Sequence, residues 1–300
     1  MFWENIKEAV TSISSNKMRS LLTMLGIIIG ISSVIIITTI GGSIQSTLTA
    51  TMNSLGGNMV QAYVEARYPE NDEDWATWEQ PEMTDSDYVT QDMIDGLIEK
   101  YPDEVTGVAA QNYLGSGTIK DDADSKNYAN VNIDGITPEY LEYMKLEMHA
   151  GRNLTKADNQ GKKRVCLIAD TMAERYFAGK DPIGETLSVA TSDGGIFDFV
   201  VVGVYVYNQA LFGKVDTSIP EKDRVTELMI PLQTCFKLQG TDRTGYDYFN
   251  LMIDPLADVN QATTDVLSYF DEMYANNKNF HVSAYNMASD LGMINTVLNV

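Results

Sequence analysis

Trp75 and Trp78 stand in a run of carboxylates formed by Glu70, Asp72, Glu73, Asp74 and Glu79. Two indole faces beside several negative charges could capture a cationic amphipathic ligand, such as a peptide, through rings and charge together. A solvated acidic loop is the plainer reading of the same residues. No catalytic set is legible elsewhere. Gly115-Ser116-Gly117 lacks the spacing of a nucleophile elbow, and His149 and His281 lie far apart with no Cys-x-x-Cys to complete a zinc site. The stretch Asp121–Lys126 is like a calcium loop only superficially. Counted from Asp122, position five is Lys126 and position twelve is Ile133, where oxygen ligands are required. It reads as a hairpin tip. Cys166 and Cys235 sit in apolar, strand-like surroundings and read equally as a pair or as two buried thiols. Lys follows Gly at 161–162, 179–180 and 213–214, never in the frame of a G-x-x-x-x-G-K-[ST] phosphate loop. The expectation is a chain that is not an enzyme, with no catalytic, cofactor or metal residues of its own.

The elements that carry these residues begin with a membrane helix. Residues 21–40, LLTMLGIIIGISSVIIITTI, form an apolar run without charge. At about 1.5 Å per residue, twenty helical residues cover roughly the 30 Å of a bilayer's hydrocarbon core. A cleaved signal peptide would have an apolar region of about 7–15 residues and then a small-x-small site. Here the run is longer, and Phe2, Trp3, Ile6, Ala9, Val10 and Ile13 precede it at helical spacing. We therefore read 1–18 as an interfacial amphipathic helix and 19–43 as a retained span in contact with lipid. Within the span, Gly26-x-x-x-Gly30 with Thr23 could let a second helix approach closely.

Lys7, Lys17 and Arg19 precede the run, and neither Lys nor Arg occurs between residues 20 and 66. This bias places the N-terminus in the cytoplasm and residues 44–300 mostly outside the cell membrane. Residues 1–65 carry three basic and three acidic side chains, so the net charge of −21 belongs to residues 66–300. Such a domain repels nucleic acid and anionic headgroups; it could attract cationic peptides or drugs, and a solvated acidic surface is the plainer reading.

Beyond the span, Ile44, Leu48, Met52 and Leu55 make a narrow seam over residues 44–56, and Met287, Leu291, Ile294 and Leu298 make another over 286–300. The two seams predict an antiparallel helical stalk. The chain ends within the apolar run LGMINTVLNV, which reads as the beginning of a second span in a longer protein. Between the seams the pattern is α+β. Strands are expected near 58–65, 104–119, 127–136, 163–169, 186–190, 197–207, 225–231, 246–254 and 280–284. Helices are expected from an N-cap at Thr84, and over 138–145, 170–178 and 258–275. The arrangement predicted is a βαβ-rich membrane-proximal subdomain, 57–118 and 209–285, with an inserted β-rich subdomain, 119–208.

NKMRSLLTMLGIIIGISSVI resembles the first transmembrane helix of MacB/FtsX-type ABC transporter permeases. LGGNMV at 55–60 resembles the start of their extracytoplasmic domain. GRNLTKAD at 151–158, VCLIADTMAERYFAGKDPIGETLSV and FVVVGV resemble its middle. The resemblance implies a porter-like subdomain carrying a sabre-like one, and four transmembrane helices in the complete permease. It also implies a homodimer or paired permease that works with a cytoplasmic ABC ATPase, to which ATP and Mg belong. Lys17 and Arg19 then become candidates for ATPase coupling as well as headgroup anchors. Gly151, Arg152, Asp158, Asp181, Pro182 and Gly184 look like the domain's signature, and their expected role is turn geometry. MacB-type members carry an ATPase ahead of the first span, whereas here the apolar run begins at residue 21. A separate ATPase polypeptide is the expectation, and the periplasmic partners of such members are not carried over. The function implied is export of an amphipathic compound, a peptide or hydrophobic antibiotic. The alternatives are FtsX-like control of an external partner such as a wall hydrolase, or a single-pass sensor.

Overall fold

The computed structural model describes residues 2–15, 17–54, 59–69, 75, 77–121, 126–212, 218–241 and 243–286. The chain divides into two compact units, a helical one and a mixed one.

The helical unit contains α1 (Phe2–Ser15) and α2 (Lys17–Ser54). The first 27 residues of α2, Lys17–Ser43, are long and apolar enough to cross a membrane. Leu21, Ile28, Ile35 and Ile40 all face outward. A helix satisfies its own backbone, as lipid requires, and its hydroxyls turn inward too. Thr23 donates to the Arg19 carbonyl at 3.0 Å, and Ser33 to the Ile29 carbonyl at 2.6 Å. The stalk positions Ile44, Leu48 and Met52 lie on the helical backbone of α2, their side chains outside the description. Leu55, Met287, Leu291, Ile294 and Leu298 lie outside the described residues.

The mixed unit holds two sheets, each with its own core. The first contains β1 (Met59–Ala66), β2 (Val105–Ala109), β10 (Tyr248–Ile253) and β11 (Phe280–Asn286), in the order β11-β1-β10-β2. All three pairings are antiparallel. Two split βαβ units therefore interlock: α3 (Gln91–Lys100) links β1 to β2, and α9 (Val259–Met273) links β10 to β11. Val60, Ala62, Phe249 and Leu251 pack with Ile94 and Leu97 of α3 and Val266 and Phe270 of α9. The helix expected from Thr84 starts later. Thr84 caps only a short 3-10 turn, Asp85–Asp87, and α3 takes Thr90 as its cap, which accepts from the Met93 amide at 3.3 Å. The intervening Val89 is extended because it bridges to Tyr246, and an extended residue breaks a helix.

The second sheet has the order β5-β8-β6-β9-β4-β3-β7. Its strands are β3 (Gln111–Lys120), β4 (Tyr128–Ile136), β5 (Met148–Gly151), β6 (Val165–Ala169), β7 (Thr186–Thr191), β8 (Ile196–Tyr205) and β9 (Val225–Pro231). β7 also pairs with β8, so six of the strands close on themselves, and β5 adds to β8 at the margin. Ile119, Val131, Ile133, Leu167, Phe199 and Leu228 form its core. Among the described residues, four helices of four to eight residues lie along its connections: α4 (Tyr140–Tyr143), α5 (Lys156–Gln160), α6 (Asp170–Phe177) and α7 (Gln209–Phe212). α8 (Leu232–Leu238) comes directly after β9 and contributes to both cores, Cys235 to one and Leu232 and Phe236 to the other.

The class is α+β. The expected inserted segment, 119–208, is narrower than the closed sheet, which also takes β3 and β9. Residues 104–119, read as one strand-like run, are two strands in different sheets. Ala110 alone separates them, its amide donating to Thr137 Oγ1 at 3.0 Å. Alternation cannot reveal such a crossing, because both strands obey it.

Candidate functional site

β1 ends in Ala66, and Arg67 then ties the chain to the residues that lead into its neighbour β11. Its Nε donates to the carbonyls of Asn277 and Phe280, at 3.0 and 3.1 Å, and its amide donates to Asn279 at 2.7 Å. This clamp presents Tyr68 outward, half exposed, where it meets both tryptophans. Tyr68 stacks on Trp75 with centroids 5.7 Å apart and planes at 14°, and Trp78 lies 5.3 Å from Tyr68 and 5.6 Å from Trp75. Trp75 is 48% exposed, whereas Trp78 is partly buried against the core of the first sheet. The sequence reading brought the two indoles together but missed Tyr68. Glu79 is exposed nearby in sequence, while Glu70, Asp72, Glu73 and Asp74 lie outside the described residues. A half-exposed aromatic triad can take a flat apolar body or a cation on its faces.

The residues of the expected signature do architectural work. Asp158 has no exposed surface and receives Arg152 Nη1 at 2.7 Å, Lys163 Nζ at 3.0 Å and the Thr155 hydroxyl at 2.7 Å. With Thr155 it forms the capping box of α5. Burial alone would raise its pKa, but the bonds from Arg152, Thr155 and Lys163 outweigh that and hold the carboxyl well below the usual range. Asp181 Oδ1 accepts from the Ile183 amide at 2.9 Å, closing the turn that runs to Gly184.

The decisive observation is the extent of a family match. Residues 20–269 match the family model described as MacB-like periplasmic core domain. The chain belongs to that family. Among relatives, the uncharacterized ABC transporter permease YknZ of Bacillus subtilis is 31% identical over 186 residues, 61% of this chain and 43% of YknZ. The macrolide export ATP-binding/permease protein MacB of Neisseria gonorrhoeae is 25% identical over 221 residues, 72% of this chain and 30% of that protein. The chain therefore matches less than half the length of these curated relatives. The crystal structure of the periplasmic region of MacB from Actinobacillus actinomycetemcomitans shares the fold, with a TM-score of 0.51 at 16% identity. That match covers 81% of this chain and 95% of the other.

Other predicted positions of this MacB-like chain lie on α2 and in the core of the closed sheet. Lys17 and Arg19 are exposed on α2. At Gly26 and Gly30 an added Cβ would meet nothing within 4 Å, so that face is open in the single chain. Cys166 and Cys235 are both free and buried, and burial pushes both thiols up. Among the described residues no group of three His, Cys, Asp or Glu could hold a metal ion.

The closed sheet also holds two carboxyls that sequence reasoning passed over. Asp134 on β4 is 4% exposed, and Glu227 on β9 has its buried Oε2 without a hydrogen-bond partner. Burial pushes both pKa values up, opposed at Asp134 by a hydrogen bond from Gln111. The one available signal was an acid set within the strand pattern NVNIDGI, at 130–136.

Proposed function

We propose that this chain is the permease subunit of a MacB-type ABC transporter. In this reading a separate ATPase hydrolyses ATP with Mg, and the work moves the extracytoplasmic domain to export an amphipathic compound, a peptide or hydrophobic antibiotic. The observation that carries the reading is the continuity of α2. Its 38 residues, Lys17–Ser54, run through the span and eleven residues past it without interruption at Gly41-Gly42. At about 1.5 Å per residue the helix is roughly 57 Å long, enough to cross the bilayer and project beyond it. A helix of that kind can carry displacement across a membrane.

Coupling also requires an element with two arrangements whose balance the nucleotide shifts. The expected stalk, built from the seam of Ile44, Leu48, Met52 and Leu55 and that of Met287, Leu291, Ile294 and Leu298, is our candidate. Thr23, Gly26 and Gly30 would pack a second permease copy, and Lys17 and Arg19 would meet the ATPase at the cytoplasmic face. The triad of Tyr68, Trp75 and Trp78 would make the first contact with substrate.

The test uses inverted vesicles holding the full permease and its ATPase, and reads ATP-dependent uptake of a fluorescent cationic peptide. Leu48→Pro should abolish uptake while ATPase binding persists, because proline breaks a helix interior at a cost of about 3 kcal/mol. Normal uptake by a normally expressed Leu48→Pro protein would sink the proposal. ATP turnover without uptake, accompanied by activation of a bound wall hydrolase, would favour the regulatory alternative.

A further inference from the structure

A cleft of about 290 Å³ opens between α6, the residues after β8, α7 and the 3-10 turn Glu221–Asp223 that leads into β9. Its size is at the lower end of ligand clefts, roughly 300–1,000 Å³. One wall is apolar and open. Phe212 and Tyr207 stand with ring centroids 5.4 Å apart, and Ile219 and Val225 are 41% and 47% exposed. Water here meets aliphatic and aromatic surface that an apolar body would cover.

The other wall is cationic. Arg175 of α6 and Arg224 both line the cleft, and both are half-buried. Each guanidinium has several N–H donors to place. Nη1 of Arg175 donates to the Tyr128 carbonyl at 2.6 Å, and Nε of Arg224 to the Ile219 carbonyl at 3.3 Å. The remaining nitrogens have no partner among the described residues, yet none is a buried orphan, so their surface is open. Among the described residues no carboxylate lies within ion-pair distance of either guanidinium. Asp223 spends Oδ1 on the Tyr128 hydroxyl, and Glu221 is exposed to water. Burial lowers the pKa of Arg175 against the opposite pull of Glu221, Tyr128 and Asp223. Its charge is thus only partly compensated.

We propose that this cleft binds a small amphipathic carboxylate. The open N–H groups of Arg175 and Arg224 donate to its oxygens, and its apolar body lies on Phe212, Ile219 and Val225. A phosphate ester, with nearly two charges, fits less well beside Glu221 and Asp223. The net charge of −21 does not forbid a single anion here. At physiological ionic strength the field of distant carboxylates is screened over about 8 Å, whereas the guanidiniums act at contact. Occupancy of the cleft stands whether the chain transports or regulates.

Calorimetric titration of the full chain in lipid nanodiscs tests this, with 4-phenylbutanoate as the probe at neutral pH and empty nanodiscs subtracted. The expected result is saturable binding with Kd below about 1 mM. 4-Phenylbutan-1-ol lacks the charge and acetate lacks the apolar body, and each should bind about tenfold more weakly or less. Arg175→Gln should lower affinity about tenfold and Arg224→Gln about fivefold. Arg175 also holds the Tyr128 carbonyl, so Val225→Asp, at an exposed position, supplies a variant that leaves that bond alone. It should lower affinity about tenfold by setting a like charge beside the bound anion. No saturable heat up to about 10 mM, equal binding of the alcohol, tighter binding of 3-phenylpropyl phosphate, or unchanged affinity in Arg224→Gln and Val225→Asp would each overturn the proposal.

Discussion

Arg152 places Nη1 2.7 Å from Oδ2 of Asp158, so a half-exposed guanidinium neutralises a carboxylate that has no exposed surface. The two residues are unequal in what their loss would cost. Asp158→Ala removes the carboxylate half of the capping box of α5 and strands the donors of Arg152, Lys163 and Thr155, a loss of about 3 kcal/mol. Arg152→Ala leaves Lys163 and Thr155 in place and should cost about 1 kcal/mol. Tryptophan-monitored thermal unfolding of the two variants should rank them in that order. The depressed pKa of Asp158 sets the sign with pH. Its stabilisation is present above the unfolded value of about 3.9 and is lost as pH falls through the lower folded value. The gap between wild type and Asp158→Asn should therefore narrow in acid.

Two glycines of the same signature separate strain from crowding. Gly151 and Gly184 both have positive φ, +72° and +90°. At Gly184 an added Cβ would meet nothing within 4 Å, so Gly184→Ala should cost about 1 kcal/mol for the backbone alone. At Gly151 the same atom would collide with the Val202 carbonyl and come within 2.8 Å of Ile183 Cδ1. Gly151→Ala should cost about 3 kcal/mol or more, and unfolding midpoints in denaturant should show the difference. Equal costs would mean that the pairing of β5 with β8 yields to the side chain.

Much of the architecture was legible because local rules suffice for it. The apolar run of α2, the hairpin of β7 and β8, and the buried face of α9 are consequences of composition and period. Sheet membership was not, because β2 and β3 share one alternating run and only the turn at Ala110 divides them. The stacking of Tyr68 on Trp75 was equally hidden. It depends on Arg67 reaching Asn277 and Phe280, more than two hundred residues away.

The buried acids make an opposite prediction with pH. Asp134 and Glu227 have folded pKa values raised by burial, so each contributes stability below its unfolded value and loses it as pH rises through the folded one. Asp134→Asn removes the ionisation and should raise the unfolding temperature at pH of about 8, by the few degrees that about 1 kcal/mol moves a domain of this size. At pH of about 4 the variant and wild type should coincide. A variant less stable at both pH values would show instead that the carboxylate is held by partners that an amide cannot replace.

Trp75 and Trp78 should divide ligand contact from packing. Trp75 is 48% exposed and stacks chiefly on Tyr68, so Trp75→Ala should leave unfolding within about 0.5 kcal/mol of wild type. Trp78 packs against the core of the first sheet, and its truncation should cost about 2 kcal/mol or more. If the triad receives cationic amphipathic substrate, a cationic peptide will quench the tryptophan emission of the wild type and bind Trp75→Ala about fivefold more weakly. That factor is what a cation–π contact of about 1 kcal/mol supplies. Raising the salt should weaken both proteins together, because the long-range attraction belongs to the acidic domain and not to the rings. Undiminished binding by Trp75→Ala would remove the triad from the substrate path and leave it as a packed edge of the first sheet.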